Sequence, residues 1–391
     1  MRNNQGIFKE YDVRGIYPKE LNKKTAREIA RMFANFLKAK QRDKIIIARD
    51  KRPSSLKIVE AVISELNDYG IDTIDLGITS SPILYWSVPY LRVKGGIMIT
   101  ASHNPQKYNG MKFIRDNGEP IGGKELKCAT EKIKTRKTKT KGVTIKKDIT
   151  KEYLNTVLDG EKEIKIKIPA FFDYDADRLM IKNKKGKIMR GDIIGGIIAD
   201  AILKKGDITV CDLRCSKALF EYLKNKGIKT IMSKVGHFHV KKLMREKDAI
   251  FGIEITGHYY FKKFHYCESP LYALEKLKQY LKKTEKKIEK LAEPFMKYGH
   301  SGVLNFQPKN RKTTGSDIEK ITKELKEKYR TGAQGSLDGL TVEFSNWWFN
   351  IRQSNTESII RVVIETKNPK ILKEKIKEIT DYLISKNLKA F

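Results

Sequence analysis

The chain has 391 residues, 40% of them hydrophobic, and a net charge of +33. That length accommodates two to four domains of about 100–200 residues each, and the evenly spread apolar content excludes a disordered chain. No apolar run approaches the ~20 residues of a membrane-spanning helix, and the opening MRNNQGIFKEYDVRG lacks the apolar stretch of a secretory signal, so a cytoplasmic protein is expected.

In chain order, residues 44–78 read KIIIARDKRPSSLKIVEAVISELNDYGIDTIDLGI: apolar strand, polar turn, helix, Gly stop and second strand, a βαβ unit. A strand over Gly96–Ile99 follows and runs into TASHNP. Residues 124–147 form a basic, helix-like and poorly structured stretch, and EYLNTVL follows it. Ile164, Ile166 and Ile168 alternate and predict a strand entering AFFDYDADR; another strand and the hairpin-like turn KNKKGK come next. A helix is expected over 191–203. Residues 207–236 repeat the order strand, polar turn, helix, Gly, strand, which suggests an internal repeat of α/β units. A long charged helix spans about 271–293 and ends at Pro294. The remainder reads as an α+β domain, with a helix near 316–329, strands GLTVEF, WWFNIRQ and IIRVVIE, and a helix over about 368–387.

The charge has two readings. It can attract anions, whether phosphorylated sugars or nucleic acid, or it can reflect lysine on solvated helix faces. Lysine is dispersed (KTRKTKTK at 134–141, KKTEKKIEK at 282–290, KNPKILKEKIK at 367–377) and is not interleaved with aromatics on one segment, which argues against a single-strand binder. Cys128, Cys211, Cys215 and Cys267 form no CxxC pair, so core or loop thiols are expected in place of a zinc or redox site.

Chemistry-bearing residues cluster at loops. Ser102 sits at a strand-to-loop junction, exposed enough to act as a nucleophile polarised by His103 or backbone amides; a plain Ser/Asn/Pro turn is the other reading. Asp173, Asp175 and Asp177 alternate, and on an extended chain they point to one side. Three such carboxylates repel unless a cation lies among them, and hard oxygen ligands suit Mg²⁺, with a phosphate oxygen or waters completing the shell. An EF-hand would need Gly and an acid where Arg178 and Lys184 stand; a solvated acidic loop remains open. Glu254, Thr256 and His258 form an inventory suited to sugar hydroxyls, or a simple turn. Lys234 and His237 follow the last strand of the second repeat, where the histidine can be functional or structural. Arg352, Ser354, Asn355 and Thr356 lie between two strands and offer a phosphate cradle, or a Ser/Asn/Thr turn.

Taken together and in this order, the segments resemble the α-D-phosphohexomutase superfamily, within it the phosphomannomutase/phosphoglucomutase branch. TASHNP with YNGMK looks like that family's phosphoserine loop, DYDADR its magnesium loop, GIEITGH its sugar loop and RQSNTES its phosphate loop; FKEYDVRG and ARDKRPSS match its first domain. The resemblance implies a multi-domain α/β fold: repeated α/β units over residues 1–147, 148–204 and 205–296, and a C-terminal α+β domain over 297–391, around a central cleft. It implies a hexose 1-phosphate/6-phosphate mutase for glucose or mannose, with a hexose 1,6-bisphosphate intermediate. Ser102 would carry the phosphate, and Mg²⁺ would be bound by Ser102, Asp173, Asp175 and Asp177. Arg14, Lys112 and Arg178 would add positive charge, His103, Lys112 and His237 would serve catalysis, and Lys112 and His237 are the candidates for proton transfer. Lys234, Glu254, Thr256, His258, Arg352, Ser354, Asn355 and Thr356 would hold substrate. The partners implied are sugar phosphates, with no membrane or nucleic acid, for a monomer or homo-oligomer. A phosphoglucosamine mutase and a non-catalytic sugar-phosphate-binding relative are the alternatives. The chain departs from the family pattern at Tyr174 (usually Gly), Thr256 (usually Ser), and Gln353 and Ser358 (usually Pro). About 60 residues separate Phe113 from Asp173, so the second domain is expected to lack roughly its first half.

Overall fold

The computed structural model describes residues 5–130, 138–309, 315–354 and 359–391. The first α/β unit holds a seven-stranded sheet. Lys44–Arg49 runs parallel to both Asp72–Ile78 and Gly95–Ile99, and Tyr108–Arg115 follows antiparallel to Gly95–Ile99, with Val13–Ile16 beyond it at the edge. The run Ile45-Ile46-Ile47-Ala48 is unbroken because both sheet faces are covered. Ile45 and Ile47 pack under helices Lys23–Phe36 and Pro53–Asp68, while Ile46 and Ala48 face helix Ser81–Tyr90. Each helix starts where its sequence provides a start: Asn22 accepts from the Thr25 N–H, and Pro53 and Pro82 occupy first-turn positions.

The expected internal repeat is present. In the five-stranded sheet Ile208–Asp212 is parallel to Lys229–Ser233 and to Phe251–Ile253, and Tyr259–Phe261 is antiparallel to the last. Strand for strand this is the order of the first sheet: a central first strand, the second and third on either side, then an antiparallel fourth.

Between the two units the structure departs from expectation. The alternation of Ile164, Ile166 and Ile168 survives as half-buried residues between exposed lysines, but residues 162–169 form no strand. The strand is Ala170–Phe172, three residues long and paired, among the described residues, only with Leu179–Ile181. Among the described residues the isoleucines lack a neighbouring strand, and alternation without a ladder partner leaves an extended segment and no sheet. Among its described residues the basic stretch begins in the helix-like form expected and ends in a strand that was not. Gly123–Thr130 is helix, and Thr144–Lys146 is an edge strand parallel to Asp72–Ile78. Helix Thr150–Leu158 bridges the units: Tyr153 packs edge-on to Trp86 of the first unit and Phe264 of the other, and shares a hydrogen bond with Ser269. Residues 149–199 share one hydrophobic core with residues 211–295.

The long charged helix is broken. Pro270–Thr284 stops at Glu285 in the left-handed region, and Ile288–Ala292 begins afresh. The cause is local: KKTEKK offers no apolar side chain to hold a further turn against the core. The last domain is a seven-stranded antiparallel sheet, with Trp347–Gln353 and Ile360–Thr366 at its centre and helices Gly315–Lys328 and Leu372–Ser385 packed on it. Among the described residues no helix is long and apolar enough to cross a membrane.

Candidate active site

Strand Gly95–Ile99 is buried along its whole length and ends at the sheet edge where open α/β folds bind ligands. Beyond it Ser102 adopts φ 51°, a left-handed conformation that costs a non-glycine residue about 1 kcal/mol. The surrounding contacts hold it there. Thr100 Oγ1 accepts from the Ser102 N–H at 2.9 Å. The buried Arg52 guanidinium donates to the carbonyls of Ser102, Asn104, Pro105 and Tyr108 at 2.6, 2.7, 3.0 and 3.2 Å. Asp50 orients Arg52 from behind at 3.0 Å. Arg14 donates to Asn104 Oδ1 at the loop's other side.

The hairpin Ala170–Phe172/Leu179–Ile181 carries Asp173, Asp175 and Asp177 at its turn, with one oxygen of each within 4.8 Å of the others. Ser102 Oγ donates to Asp175 Oδ1 at 3.1 Å and lies 3.3 Å from His103 Nδ1. Lys112, on the strand beside the serine strand, donates to Asp175 and Asp177 at 2.7 and 2.9 Å. Burial alone would depress the Lys112 ammonium, but the two carboxylates outweigh it and hold it well above its ordinary range. Burial, then repulsion from Asp177 and Asp175, pushes Asp173 up to about 7. Burial would raise Asp177 too, yet Lys112, His258 and Arg178 keep it well below the usual carboxylate range. The buried oxygens Asp173 Oδ2 and Asp177 Oδ1 lie 3.4 Å from Arg178 Nε and 3.2 Å from His258 Nε2, respectively, in ion-pair range but without hydrogen-bond geometry. Three crowded carboxylates whose oxygens lie within 4.8 Å of one another fit a hard divalent cation such as Mg²⁺.

The other α/β unit presents the equivalent loops. After its first strand, Asp212 and Arg214 repeat Asp50 and Arg52: in each pair the acid accepts from the arginine's own backbone N–H and from its Nε. In each unit that arginine braces the loop after the third strand. Arg52 grips the serine loop, and Arg214 reaches Glu254 at 3.3 Å. Tyr260 also donates to Glu254, and Thr256 Oγ1 lies 3.0 Å from His258 Nδ1. His258 Nε2 is 3.2 Å from Asp177 Oδ1. Burial would lower the His258 pKa, but Asp177 outweighs burial and raises it. The Leu179 N–H donates to the Gly257 carbonyl at 2.9 Å, so the sugar-type loop and the carboxylate loop are joined through backbone.

His237 opens helix His237–Lys247 and faces the same space. Burial drives its pKa well below the ordinary value, with Lys241 and Lys112 adding to the effect, and its Nδ1 has no hydrogen-bond partner. His103 is lowered in the same sense by burial, Arg178 and Arg14. From the last domain come Arg352, Ser354 and Arg361. Burial and the nearby Arg214 pull the Arg352 guanidinium down to about 10. Arg352 and Arg361 are direct cross-strand partners, an arrangement of like charges that is unfavourable without an anion between them.

One cavity of about 320 Å³ gathers these groups, among them Arg14, Ser102, His103, Lys112, Asp177, Arg178, His237, Glu254, Thr256, His258, Arg352 and Ser354. Asp173 and Asp175 adjoin it through Asp177 and Ser102. Lys234 is exposed and does not line the cavity, although Val235 beside it does. Asn355 and Thr356 lie outside the described residues. Sequence reasoning missed Arg214, Arg361 and Tyr11, all of which line the cavity, and the role of Arg52 behind it. The signal for Arg52 and Arg214 was available as the repeated Asp-x-Arg after each unit's first strand.

Comparison with known proteins agrees with this architecture. The family model for phosphoglucomutase/phosphomannomutase α/β/α domain I matches residues 5–140, and the model for domain III matches residues 190–298. A phosphomannomutase of Methanocaldococcus jannaschii is 31% identical, covering 96% of this chain and 97% of its own. One of Vibrio cholerae serotype O1 is 29% identical, covering 95% and 97%. A phosphoglucomutase/phosphomannomutase family structure from Burkholderia thailandensis has a TM-score of 0.84 at 23% identity, covering 97% of each chain. These matches put the chain among the phosphohexose mutases, isomerases that work by intramolecular phosphoryl transfer. It belongs to the phosphoglucomutase/phosphomannomutase family.

Proposed function

We propose that the protein interconverts hexose 1-phosphates and 6-phosphates of glucose and mannose through a phosphorylated Ser102 and a hexose 1,6-bisphosphate. The observation that carries this reading is the convergence of a serine, a buried histidine and an arginine cluster on one cavity, which the carboxylate triad reaches through Asp177. Arg352 and Arg361, with Arg214 beside them, would bind the non-reacting phosphate of the substrate, relieving their mutual repulsion. Glu254 and His258 would hold the ring hydroxyls. The phosphoryl group would pass from Ser102 Oγ to a free sugar hydroxyl as the serine P–O bond breaks.

His237, kept neutral, suits the acceptor of that hydroxyl's proton. Lys112, held as an ammonium, suits charge neutralisation better than proton abstraction. The serine oxygen left behind would lie beside Asp175, whose other carboxylate oxygen is held by Lys112, until the second phosphate of the turned bisphosphate returns to it. Mg²⁺ bound by Asp173, Asp175, Asp177 and the Ser102 oxygen would neutralise the phosphoserine. A cavity that anchors one phosphate at its arginine end accepts either orientation of the sugar.

A coupled assay with glucose 1-phosphate and mannose 1-phosphate, primed with glucose 1,6-bisphosphate, tests the reading. Wild type should turn over both, and Ser102→Ala should lose at least about 10³-fold in kcat. Equal activity of Ser102→Ala and wild type would refute the phosphoserine route.

A further inference from the structure

Tyr174 stands inside the carboxylate loop, between two of its acids, and is 53% exposed. A large exposed aromatic there contributes nothing to a core. Its ring instead covers the Arg52 guanidinium, whose central carbon lies 4.9 Å from the ring centre. Arg52 is itself buried, and its guanidinium donors are engaged by Asp50 and four carbonyls of the serine loop. A planar cation with its edges occupied can add a partner only through its face, and an aromatic ring is the side chain suited to that.

The loop also needs a hold from outside itself. Its own hairpin has three-residue strands, half-buried at Ala170–Phe172, which pair with no further strand among the described residues. Isolated two-stranded hairpins are marginal in water. The first α/β unit supplies contacts instead. The Ser81 N–H donates to the Asp175 carbonyl at 3.1 Å, and Ser81 Oγ donates to Asp175 Oδ2 at 3.0 Å.

We propose that Tyr174 is a positioning residue that clamps the carboxylate loop to the serine loop by stacking on Arg52, so that cation affinity depends on its ring. The inference rests on the reading of Asp173, Asp175 and Asp177 as a divalent-cation site.

Mn²⁺ titration of the full-length, unphosphorylated protein, followed by electron paramagnetic resonance, tests it without using activity. Tyr174→Leu keeps bulk and removes the π face; it should raise the Mn²⁺ Kd by about 3- to 10-fold. Tyr174→Phe should bind within about twofold of wild type, and the Leu variant's Tm should stay within about 2 °C of wild type. Equal Mn²⁺ binding by wild type and Tyr174→Leu overturns the inference alone, as does a Phe variant as weak as the Leu variant. Absence of Mn²⁺ binding by wild type overturns the cation-site reading and the inference with it.

Discussion

Lys112 and His237 are both basic side chains in one cavity, and burial acts on both in the same direction. Their neighbours separate them. Two carboxylates at hydrogen-bond distance keep Lys112 charged, whereas Lys241 and Lys112 reinforce the neutrality of His237. Ser102 and the three aspartates were legible in the sequence because their signal is local: short spacing within one loop. Arg361 was not, and for Arg52 and Arg214 the sequence carries only the repeated Asp-x-Arg and not what they grip, because those partners lie on distant segments, such as Ser102 for Arg52. The arginine cluster yields a residue-scale expectation. Arg352→Lys keeps the charge but loses the planar fork that matches a phosphate. The KM for sugar phosphates should rise about 10-fold or more while kcat changes less. An unchanged KM in steady-state kinetics would remove Arg352 from the phosphate site.

At the scale of elements, the strands and helices of the two α/β units follow the sequence closely, because buried parallel strands read as continuous apolar runs bounded by glycine and polar turns. The misread segments are those where periodicity lacks a partner. Ile164, Ile166 and Ile168 alternate as a strand would, yet among the described residues no adjacent strand pairs them. The charged helix expected over 271–293 stops at Glu285, where the helical pattern continues but no packing face does. The junction of the carboxylate and sugar-type loops depends on Gly257, which has φ +89° and where a Cβ would sit 2.6 Å from the Leu179 carbonyl oxygen. Gly257→Ala should destabilise the fold by about 1–3 kcal/mol in urea unfolding and raise the substrate KM. A variant with wild-type stability and KM would show that this junction tolerates displacement.

Across the whole molecule, the last domain docks onto the preceding α/β unit through a histidine whose tautomer is fixed. The Gly302 N–H donates to His300 Nδ1, so Nε2 carries the proton and donates to the Arg214 carbonyl at 3.0 Å. Burial, then the positive charge of Arg190, lowers the His300 pKa from 6.5 to about 4. Because the folded-state value lies below the unfolded one, the associated stability is present above pH 6.5 and is lost as pH falls towards 4. At pH 5 the loss amounts to about 2 kcal/mol. Urea unfolding at pH 7 and pH 5 should show a smaller drop for His300→Gln than for wild type; identical drops would exclude this residue as the source. Docking of this kind was not legible in the sequence, where His300 appears as an isolated residue before a glycine-containing turn.

The phosphoserine route requires that Ser102 be the residue that carries the phosphate. Wild-type protein stripped of phosphate, then incubated with Mg²⁺ and glucose 1,6-bisphosphate, can be mapped by peptide mass spectrometry. One phosphate on the peptide containing Thr100-Ala101-Ser102-His103, localised to Ser102 and lost in Ser102→Ala, is the predicted result. Phosphate at another residue, or none at Ser102 while the enzyme turns over, would contradict it.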